Sequence, residues 1–367
     1  MELFLIGIPC AFILPLLCKL MFPHEVTMKE YLLVSFVNVI CVTVFYAFIN
    51  LHATWDTEIW SGQVISKQSA RVSCEHSYSC NCRQQRSGTD SKGNATYTTV
   101  CDTCYEHSYD VDWQVDSNVG RELINRIDRR GLKEPPRFSK VEVGEPFATT
   151  RSFTNYIKAA PDTLFVEAAS MKDKYISKLP DYPDIYDYYR INRVITLGNT
   201  AVKPTFLNSM LNEQMRNWGP RKQGNVIAVF VDDTYQEDFY HALQAHWLGG
   251  KKNDIVVIVQ VDISGKIGWT RVFSRADTAT FDKSVEFDII AMKQFDNAKF
   301  VDILNDNIGQ RFHRLDFEQF KYLLEELKPS TTALIVGIVF ALIINLGLNF
   351  LIVKEDLFGE RLHRRFR

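Results

Sequence analysis

The chain has 367 residues, with 42 Lys and Arg against 44 Asp and Glu, so its formal net charge is −2 at pH 7. A balance this close to neutral argues against a nucleic-acid-binding protein that works through bulk positive charge. Hydrophobic residues make up 46% and the mean hydropathy is −0.12, which are averages typical of a soluble protein of two modest domains. The apolar residues are nevertheless concentrated in a few segments.

Three long apolar runs stand near the two ends of the chain, at residues 3–22, 31–51 and 332–353. A helix that crosses a bilayer needs about 20 mostly apolar residues. The runs therefore predict an α+β membrane protein with three transmembrane helices, two N-terminal and one C-terminal. A cleaved signal peptide is the alternative for the first run, although Met1-Glu2 is acidic and no small-residue cleavage site follows. A buried apolar hairpin of a soluble protein is another alternative, against which the third run argues.

Basic residues near the ends of the runs predict the orientation of the chain. Lys19 and Lys29 flank the short loop between the first two runs, and the N-terminus carries no Lys or Arg. The C-terminal tail carries five basic residues, Lys354, Arg361, Arg364, Arg365 and Arg367. We therefore expect the tail to be cytoplasmic and the body to lie on the non-cytoplasmic side of the membrane, which is the periplasm in a Gram-negative cell.

Asn345 and Asn349 lie one helical turn apart in the third run. Their amides predict a helix–helix contact, either with the N-terminal hairpin or with another subunit, and a tolerated polar pair is the alternative. The expected partners are therefore the lipid bilayer and a protein partner or a second copy of the chain, and not a nucleic acid.

The predicted organisation is a helical hairpin (1–52), a β-rich domain with a Cys/His cluster (53–155), a connector (156–224), an α/β domain (225–328), a transmembrane helix (330–353) and a basic cytoplasmic tail (354–367). In the β-rich domain, strict alternation of aromatic and acidic or polar residues over 105–115 predicts one strand. In the α/β domain, apolar runs at 225–231 and 255–261 flank an amphipathic helix at 236–248. That order predicts a strand–helix–strand unit with buried strands.

Five of the eight cysteines fall within 31 residues, and two histidines flank them. The seven candidate metal ligands are Cys74, His76, Cys80, Cys82, Cys101, Cys104 and His107. Thiolates and imidazoles at these spacings suit a structural Zn²⁺ site. Disulfides are the rival interpretation, because the predicted compartment is oxidising, and a mixture of the two is a third. Five is an odd number, and Cys80 cannot easily bond Cys82 across a single residue.

Three carboxylates follow the two apolar strands, Asp232 and Asp233 after the first and Asp262 after the second. In a parallel sheet these strand ends lie side by side, where α/β proteins place ligands. The acids could hold Ca²⁺ or Mg²⁺ through oxygen, and solvated loop acids are the alternative. No G-x-S-x-G, P-loop or H-E-x-x-H motif occurs in the sequence.

Residues 225 to about 314 carry three features that follow one another along the chain. They are the strand ending in acids, the helix ending Ala242-Leu-Gln-Ala-His-Trp-Leu-Gly249, and the turn Gly250-Lys-Lys-Asn-Asp254 before an apolar strand. On these residues the segment resembles the TPM domain, a module of thylakoid-lumen, bacterial-envelope and receptor-maturation proteins. The resemblance implies an α/β fold and a debated phosphatase activity. The glycine-rich stretch of that family is reduced here to Gly268-Trp-Thr-Arg-Val272, which weakens the implied activity.

A second set of residues spreads over more of the chain. It comprises Thr54-Trp-Asp-Thr-Glu-Ile-Trp60, Ser73-Cys-Glu-His-Ser-Tyr-Ser-Cys-Asn-Cys-Arg83, Cys101-Asp-Thr-Cys-Tyr-Glu-His107, Asp110-Val-Asp-Trp113, Ile127-Asp-Arg-Arg-Gly131, Phe153-Thr-Asn-Tyr156 and Lys328-Pro-Ser-Thr331. On these residues the chain resembles membrane proteins of tailed bacteriophages of the virion structural protein type. The resemblance implies a setting, which is the host inner membrane or a virion-associated membrane, and it supplies no chemistry.

Three functions follow as hypotheses. The first is a non-enzymatic, membrane-anchored structural or interaction protein of phage origin that presents its body to an envelope or virion partner. The second is a divalent-cation-dependent phosphatase or other hydrolase that uses Asp232, Asp233 and Asp262. The third is a zinc or redox sensor based on the cysteine cluster.

Overall fold

The computed structural model describes residues 2–89, 94–159, 173–278, 280–326, 331–355 and 357–358. Part of the predicted connector and the arginines of the predicted tail lie outside the described residues. The helices are α1 (Glu2–Met21), α2 (Met28–Thr54), α3 (Pro136–Ser139), α4 (Tyr156–Ala159), α5 (Pro204–Lys222), α6 (Phe239–His246), α7 (Phe281–Ala291), α8 (Asn297–Arg311) and α9 (Thr331–Lys354), with a 3₁₀ helix at Phe317–Glu326.

The strands form four sheets in the described residues. They are β1 (Trp55–Val72), β2 (Ser77–Thr89), β3 (Ala95–Tyr105), β4 (Asp110–Ser117), β5 (Arg121–Ile124), β6 (Pro146–Thr154), β7 (Ile185–Tyr186), β8 (Arg190–Ile191), β9 (Val194–Leu197), β10 (Asn225–Val231), β11 (Asp254–Val261) and β12 (Ile267–Ser274). The molecule is therefore α+β, as predicted.

Two helices are long and apolar enough to cross a membrane, α2 and the Ile335–Lys354 part of α9. In α1 the described apolar stretch, Ala11–Met21, is shorter than a membrane crossing needs. The length and composition of the described helices thus support two of the three predicted spans. The three helices pack against one another, and the stacked rings of Phe45 and Phe340 have their centroids 5.4 Å apart. A capping box starts α2, because Thr27 and Glu30 each bond the backbone N–H of the other.

The β-rich region is an antiparallel sheet in the order β5-β4-β1-β6. The first half of the 18-residue β1 pairs with β6, and the second half pairs with β4 after a register shift between Val64 and Ser66. The single strand predicted over 105–115 is wrong, because β3 ends at Tyr105 and β4 begins at Asp110. The intervening residues form a bend in which His107 turns toward the carboxylate of Asp110.

The second sheet has the order β12-β11-β10-β9, in which β9, β10 and β11 are parallel and β12 is antiparallel. The predicted buried strands are present, because every residue of β10 and β11 is buried. Helices α5, α7 and α8 pack on one face and α6 on the other, so apolar cores lie on both sides. The sheet begins at Val194, ahead of the boundary predicted at residue 225, because β9 pairs with β10.

The first half of β1 lies against this α/β unit. The side-chain amide of Asn253 donates to the carbonyl of Ile59 at 2.7 Å, and Lys251 pairs with Asp56 at 2.6 Å. Helix α5 approaches so closely that a Cβ on Gly219 would lie 1.9 Å from the carbonyl oxygen of Ser61. The strand that follows α2 is thus fixed to both sheets.

Candidate functional site

An exposed two-stranded hairpin, which we call the arm, is formed by β2 and β3. Apart from Cys80, Cys101 and Cys104, every described side chain of the arm is exposed, including Tyr78 and Tyr97 at 53% and 62%. An isolated two-stranded hairpin is marginally stable in water. The arm therefore needs stabilisation from a source other than a hydrophobic core.

Two disulfides cross-link the arm. Cys80 bonds Cys104 with the Cα atoms 5.8 Å apart, and Cys82 bonds Cys101 with the Cα atoms 4.0 Å apart. A bonded sulfur offers no thiolate to a metal. The predicted seven-residue zinc set is therefore corrected: four of its cysteines are paired, and Cys74, His76 and His107 remain. The sequence could not decide this, since the spacing fits both chemistries.

A second cluster lies where the arm joins the body, and we call it the arm base. Cys74 lies between β1 and β2, His107 lies between β3 and β4, and Asp110 is the first residue of β4. One ligand atom from each lies within 4.8 Å of the other two. The two chain segments are joined by a backbone hydrogen bond in which Glu106 donates to the carbonyl of His76 at 3.0 Å. Cys74 is buried and free.

Asp110 is fully buried and accepts three hydrogen bonds or ion pairs. The backbone N–H of Glu75 donates at 2.9 Å, Nε2 of His107 bonds Oδ1, and Nη1 of Arg126 lies 3.3 Å from Oδ2. The pKa of Asp110 is lowered chiefly by the Glu75 N–H bond, against the opposing effect of burial. Asp110 is therefore a carboxylate at neutral pH, so Nε2 of His107 donates to it and Nδ1 is the other ring nitrogen.

His76 is oriented in the same way as His107. Its Nε2 lies 3.0 Å from the carbonyl oxygen of Arg129, an acceptor, so Nε2 carries the proton. The ring centroids of His76 and His107 are 5.6 Å apart. Sequence reasoning identified both histidines as candidates but missed Asp110, and the only signal was its position three residues after His107.

Two of the three carboxylates of the α/β unit accept hydrogen bonds from nearby backbone N–H groups. Asp232 accepts from the backbone N–H groups of Asn199 and Thr234 at 2.8 and 3.0 Å, and Asp262 accepts from Ser264 and Lys266 at 2.8 and 2.9 Å. Asp233 is exposed. Within the part of the chain that the structure describes, the three do not form a cluster of metal-ligand atoms. These bonds are typical of turn-forming acids.

A small cavity of about 70 Å³ lies between the three apolar helices and is lined in part by Asn38 and Asn345. Asn345 and Asn349 are both buried, and Asn349 Nδ2 donates to the carbonyl oxygen and side-chain oxygen of Asn345 at 2.8 and 2.6 Å. The predicted asparagine pair therefore lies inside the bundle and is bonded along α9. Asn38 Nδ2 has no hydrogen-bond partner among the described residues.

No family model, curated protein or solved structure was found to match the chain. The resemblances to the TPM domain and to phage virion structural proteins therefore stay predictions.

Proposed function

We propose that the protein is a membrane-anchored, non-enzymatic structural and interaction protein. It spans the membrane with α1, α2 and α9, holds its body on the non-cytoplasmic side and presents the arm to a protein partner in the envelope or virion. The observation that carries this proposal is the continuity of α2 and β1. The helix ends at Thr54 and the strand begins at Trp55, so no linker separates the membrane helix from the body.

The same strand connects the membrane helix with the arm base. At about 3.3 Å per residue, the 18 residues of β1 reach at most about 60 Å. The bonds of Asp56, Ile59 and Ser61 with the α/β unit hold the first half of that strand in place. This arrangement supports a role in holding the arm at a fixed position relative to the membrane.

The surface of the arm suits protein recognition. Tyr78, Tyr97 and Tyr105 are more than half exposed, and tyrosine is enriched in protein interfaces because it combines apolar area with a hydroxyl group. Disulfides persist on the oxidising side of a membrane, which agrees with a non-cytoplasmic body. The resemblance to phage proteins is the reason for proposing a virion or host-envelope partner.

Thiol labelling in intact cells tests the orientation. Val143→Cys places a thiol on an exposed loop of the body, and His24→Cys places one in the loop between α1 and α2. A membrane-impermeant maleimide should label the Val143 variant in intact cells and the His24 variant only after permeabilisation, with the unsubstituted chain as background. The reverse pattern would overturn the proposed orientation.

Site-specific photocrosslinking in infected cells tests the interaction. A photoreactive residue at Tyr97 should yield one discrete cross-linked protein, and one at Tyr322, which is 58% exposed near α9, should not. Removal of both disulfides by serine at the four arm cysteines should abolish the cross-linked product obtained from position 97. Turnover of a phosphate ester by the purified chain, lost on Asp232→Asn, would instead favour the hydrolase hypothesis.

A further inference from the structure

We propose that the arm base binds one Zn²⁺ ion through the thiolate of Cys74 and the imidazoles of His107 and His76, with Asp110 as the positioning residue for His107. The proposal goes beyond the proposed function, and it does not depend on the orientation or the partner. Cys74 and His76 come from one segment, and His107 and Asp110 come from another. Ligand atoms of Cys74, His107 and Asp110 lie within 4.8 Å of one another, and the ring centroid of His76 lies 5.6 Å from that of His107.

The first argument is the state of Cys74. Four cysteines of the neighbouring arm are paired, whereas Cys74 is free and 6% exposed. Its Sγ accepts a hydrogen bond from the backbone N–H of His76 at 3.4 Å and, as a thiol, donates to the carbonyl oxygen of His76 at 3.5 Å, a proton that metal binding would displace. A thiolate is the ligand that Zn²⁺ favours, and a backbone N–H to the sulfur stabilises that negative charge.

The second argument is the orientation of the imidazoles. His107 donates Nε2–H to a buried carboxylate, and His76 donates Nε2–H to a backbone carbonyl. A zinc-bound histidine usually donates its other ring N–H to a carboxylate or a carbonyl, which fixes the ring and raises the basicity of the ligating nitrogen. Both rings of the arm base therefore have the outer hydrogen bonds of a metal ligand and retain Nδ1.

The third argument is charge. Arg126 is the guanidinium that contacts the buried carboxylate, and it also contacts Asp112 and Glu75 at 2.5 and 3.3 Å. Three carboxylates against one guanidinium leave this group with a formal charge of −2, before any thiolate is counted. A divalent cation at the arm base would compensate this excess.

The consequence is a third cross-link at the base of the arm. The metal would join the chain just before β2 to the chain just after β3. The disulfides Cys80–Cys104 and Cys82–Cys101 are the next two cross-links along the arm. The two disulfides hold the strands of the hairpin together, and the metal would hold together the two chain segments by which the hairpin leaves the body.

Cobalt titration of the purified full-length protein, with its disulfides intact, tests the ligand set. Co²⁺ should bind at one equivalent with a thiolate-to-cobalt charge-transfer band, and Zn²⁺ should displace it. Cys74→Ser should remove the band and His107→Gln should remove tight binding. Asp110→Asn should keep the stoichiometry and the band while weakening affinity by about 10- to 100-fold. Cys18→Ser is the matched control and should change none of these.

A measurement on the unsubstituted chain makes the test independent of variant folding. One equivalent of Zn²⁺ should slow alkylation of Cys74 by N-ethylmaleimide at least tenfold, read by peptide mass spectrometry, whereas Mg²⁺ should not. An alkylation rate that Zn²⁺ leaves unchanged, or a cobalt charge-transfer band that survives Cys74→Ser, would overturn the proposal.

Discussion

Asp56 and Lys251 form an ion pair between the start of β1 and the turn after α6, with Nζ 2.6 Å from Oδ1. Asn155 donates a second hydrogen bond to Asp56 at 2.7 Å. Burial alone would raise the pKa of Asp56, but the hydrogen bonds from Lys251 and Asn155 outweigh it and lower that pKa. A carboxyl whose pKa is lower in the folded state stabilises the protein above its unfolded value, about 3.9, and loses that contribution as the pH falls through the folded value.

We therefore expect Asp56→Asn to reduce the stability of the folded chain at pH 7 by about 1.5–3 kcal/mol, the range for a hydrogen bond to a charged group. The stability of this variant should also fall less steeply with acid than that of the unsubstituted chain. Apparent Tm measured between pH 7 and pH 3 checks both effects. Asp116→Asn, which breaks an ion pair with the exposed Arg121, is the control and should change stability by less than about 1 kcal/mol.

Gly219 and Gly309 both lie within helices but in opposite surroundings. A Cβ on Gly219 would lie 1.9 Å from the backbone oxygen of Ser61, whereas a Cβ on Gly309 would meet nothing within 4 Å. Gly219→Ala should destabilise the chain by about 1–3 kcal/mol, since the backbone of β1 must move. Gly309→Ala should stabilise it by up to about 1 kcal/mol, because alanine favours the helix. Shifts of apparent Tm with the same sign in both variants would contradict this contrast.

At the scale of single residues, the sequence predicts the composition of a site better than its contacts. Lys251 was singled out as part of a turn, but its partner Asp56 is 195 residues away. Likewise, the sequence grouped Cys74 with four cysteines, because spacing along the chain does not tell which sulfurs face one another across a hairpin. The alternation over 105–115 places Asp110 among the polar residues of the predicted strand, whereas the fold buries it against His107.

At the scale of elements, continuous apolar runs were the most informative pattern. Strands β10 and β11 occupy the predicted residues to within one position, because both of their faces are buried and Gln260 is the one polar residue within the two apolar runs 226–231 and 255–261. Alternation over 105–115 was misleading, since a bend whose residues alternate by chance has the same pattern as a strand. Strand β9 was missed because only four residues form it.

The arm is the element whose stability depends most on covalent bonds. Its two disulfides join residues 24 and 19 positions apart, and one loop of this length contributes about 3 kcal/mol in the chain-entropy account, with a smaller addition from the second bond because it is nested in the first. Serine at all four cysteines should leave the two larger sheets folded while the arm loses its paired structure. Trypsin should then cut after Arg83 or Arg86 at least tenfold faster, and a fragment containing the α/β unit should persist.

Cys41→Ser, in α2, is the control and should leave the cleavage pattern unchanged. Global unfolding of the four-serine variant, seen as loss of the protease-resistant α/β fragment, would contradict the view that the arm is an independent element. Faster amide hydrogen exchange in the four-serine variant, confined to residues 77–89 and 95–105, would support the view that the arm is an independent element.

At the scale of the whole molecule, a buried guanidinium bonds to strands of both larger sheets. Arg193 is 1% exposed and lies next to β9, where Nη2 bonds Oγ of Ser61 in β1 and Nη1 bonds Oδ1 of Asn225 in β10. Burial lowers its pKa to about 10, so it remains charged at neutral pH, and the nearby carboxylate of Asp254 favours that charge. Its direct acceptors are neutral, so charge patterning in the sequence could not reveal this contact.

Removing that guanidinium should uncouple the two halves of the body. Arg193→Ala leaves the neutral acceptors Ser61 and Asn225 without their shared donor, and we expect a loss of about 2–6 kcal/mol, since each buried polar group left unsatisfied costs about 1–3 kcal/mol. Thermal unfolding followed by tryptophan fluorescence and by circular dichroism should then show two transitions in place of one, with the α/β sheet melting last.

Arg190→Ala is the matched control, because Arg190 is 45% exposed and its carboxylate partners lie 3.5 and 3.6 Å away. That variant should lose less than about 1 kcal/mol, and an equal loss in both would show that the buried position of Arg193 is not what joins the sheets.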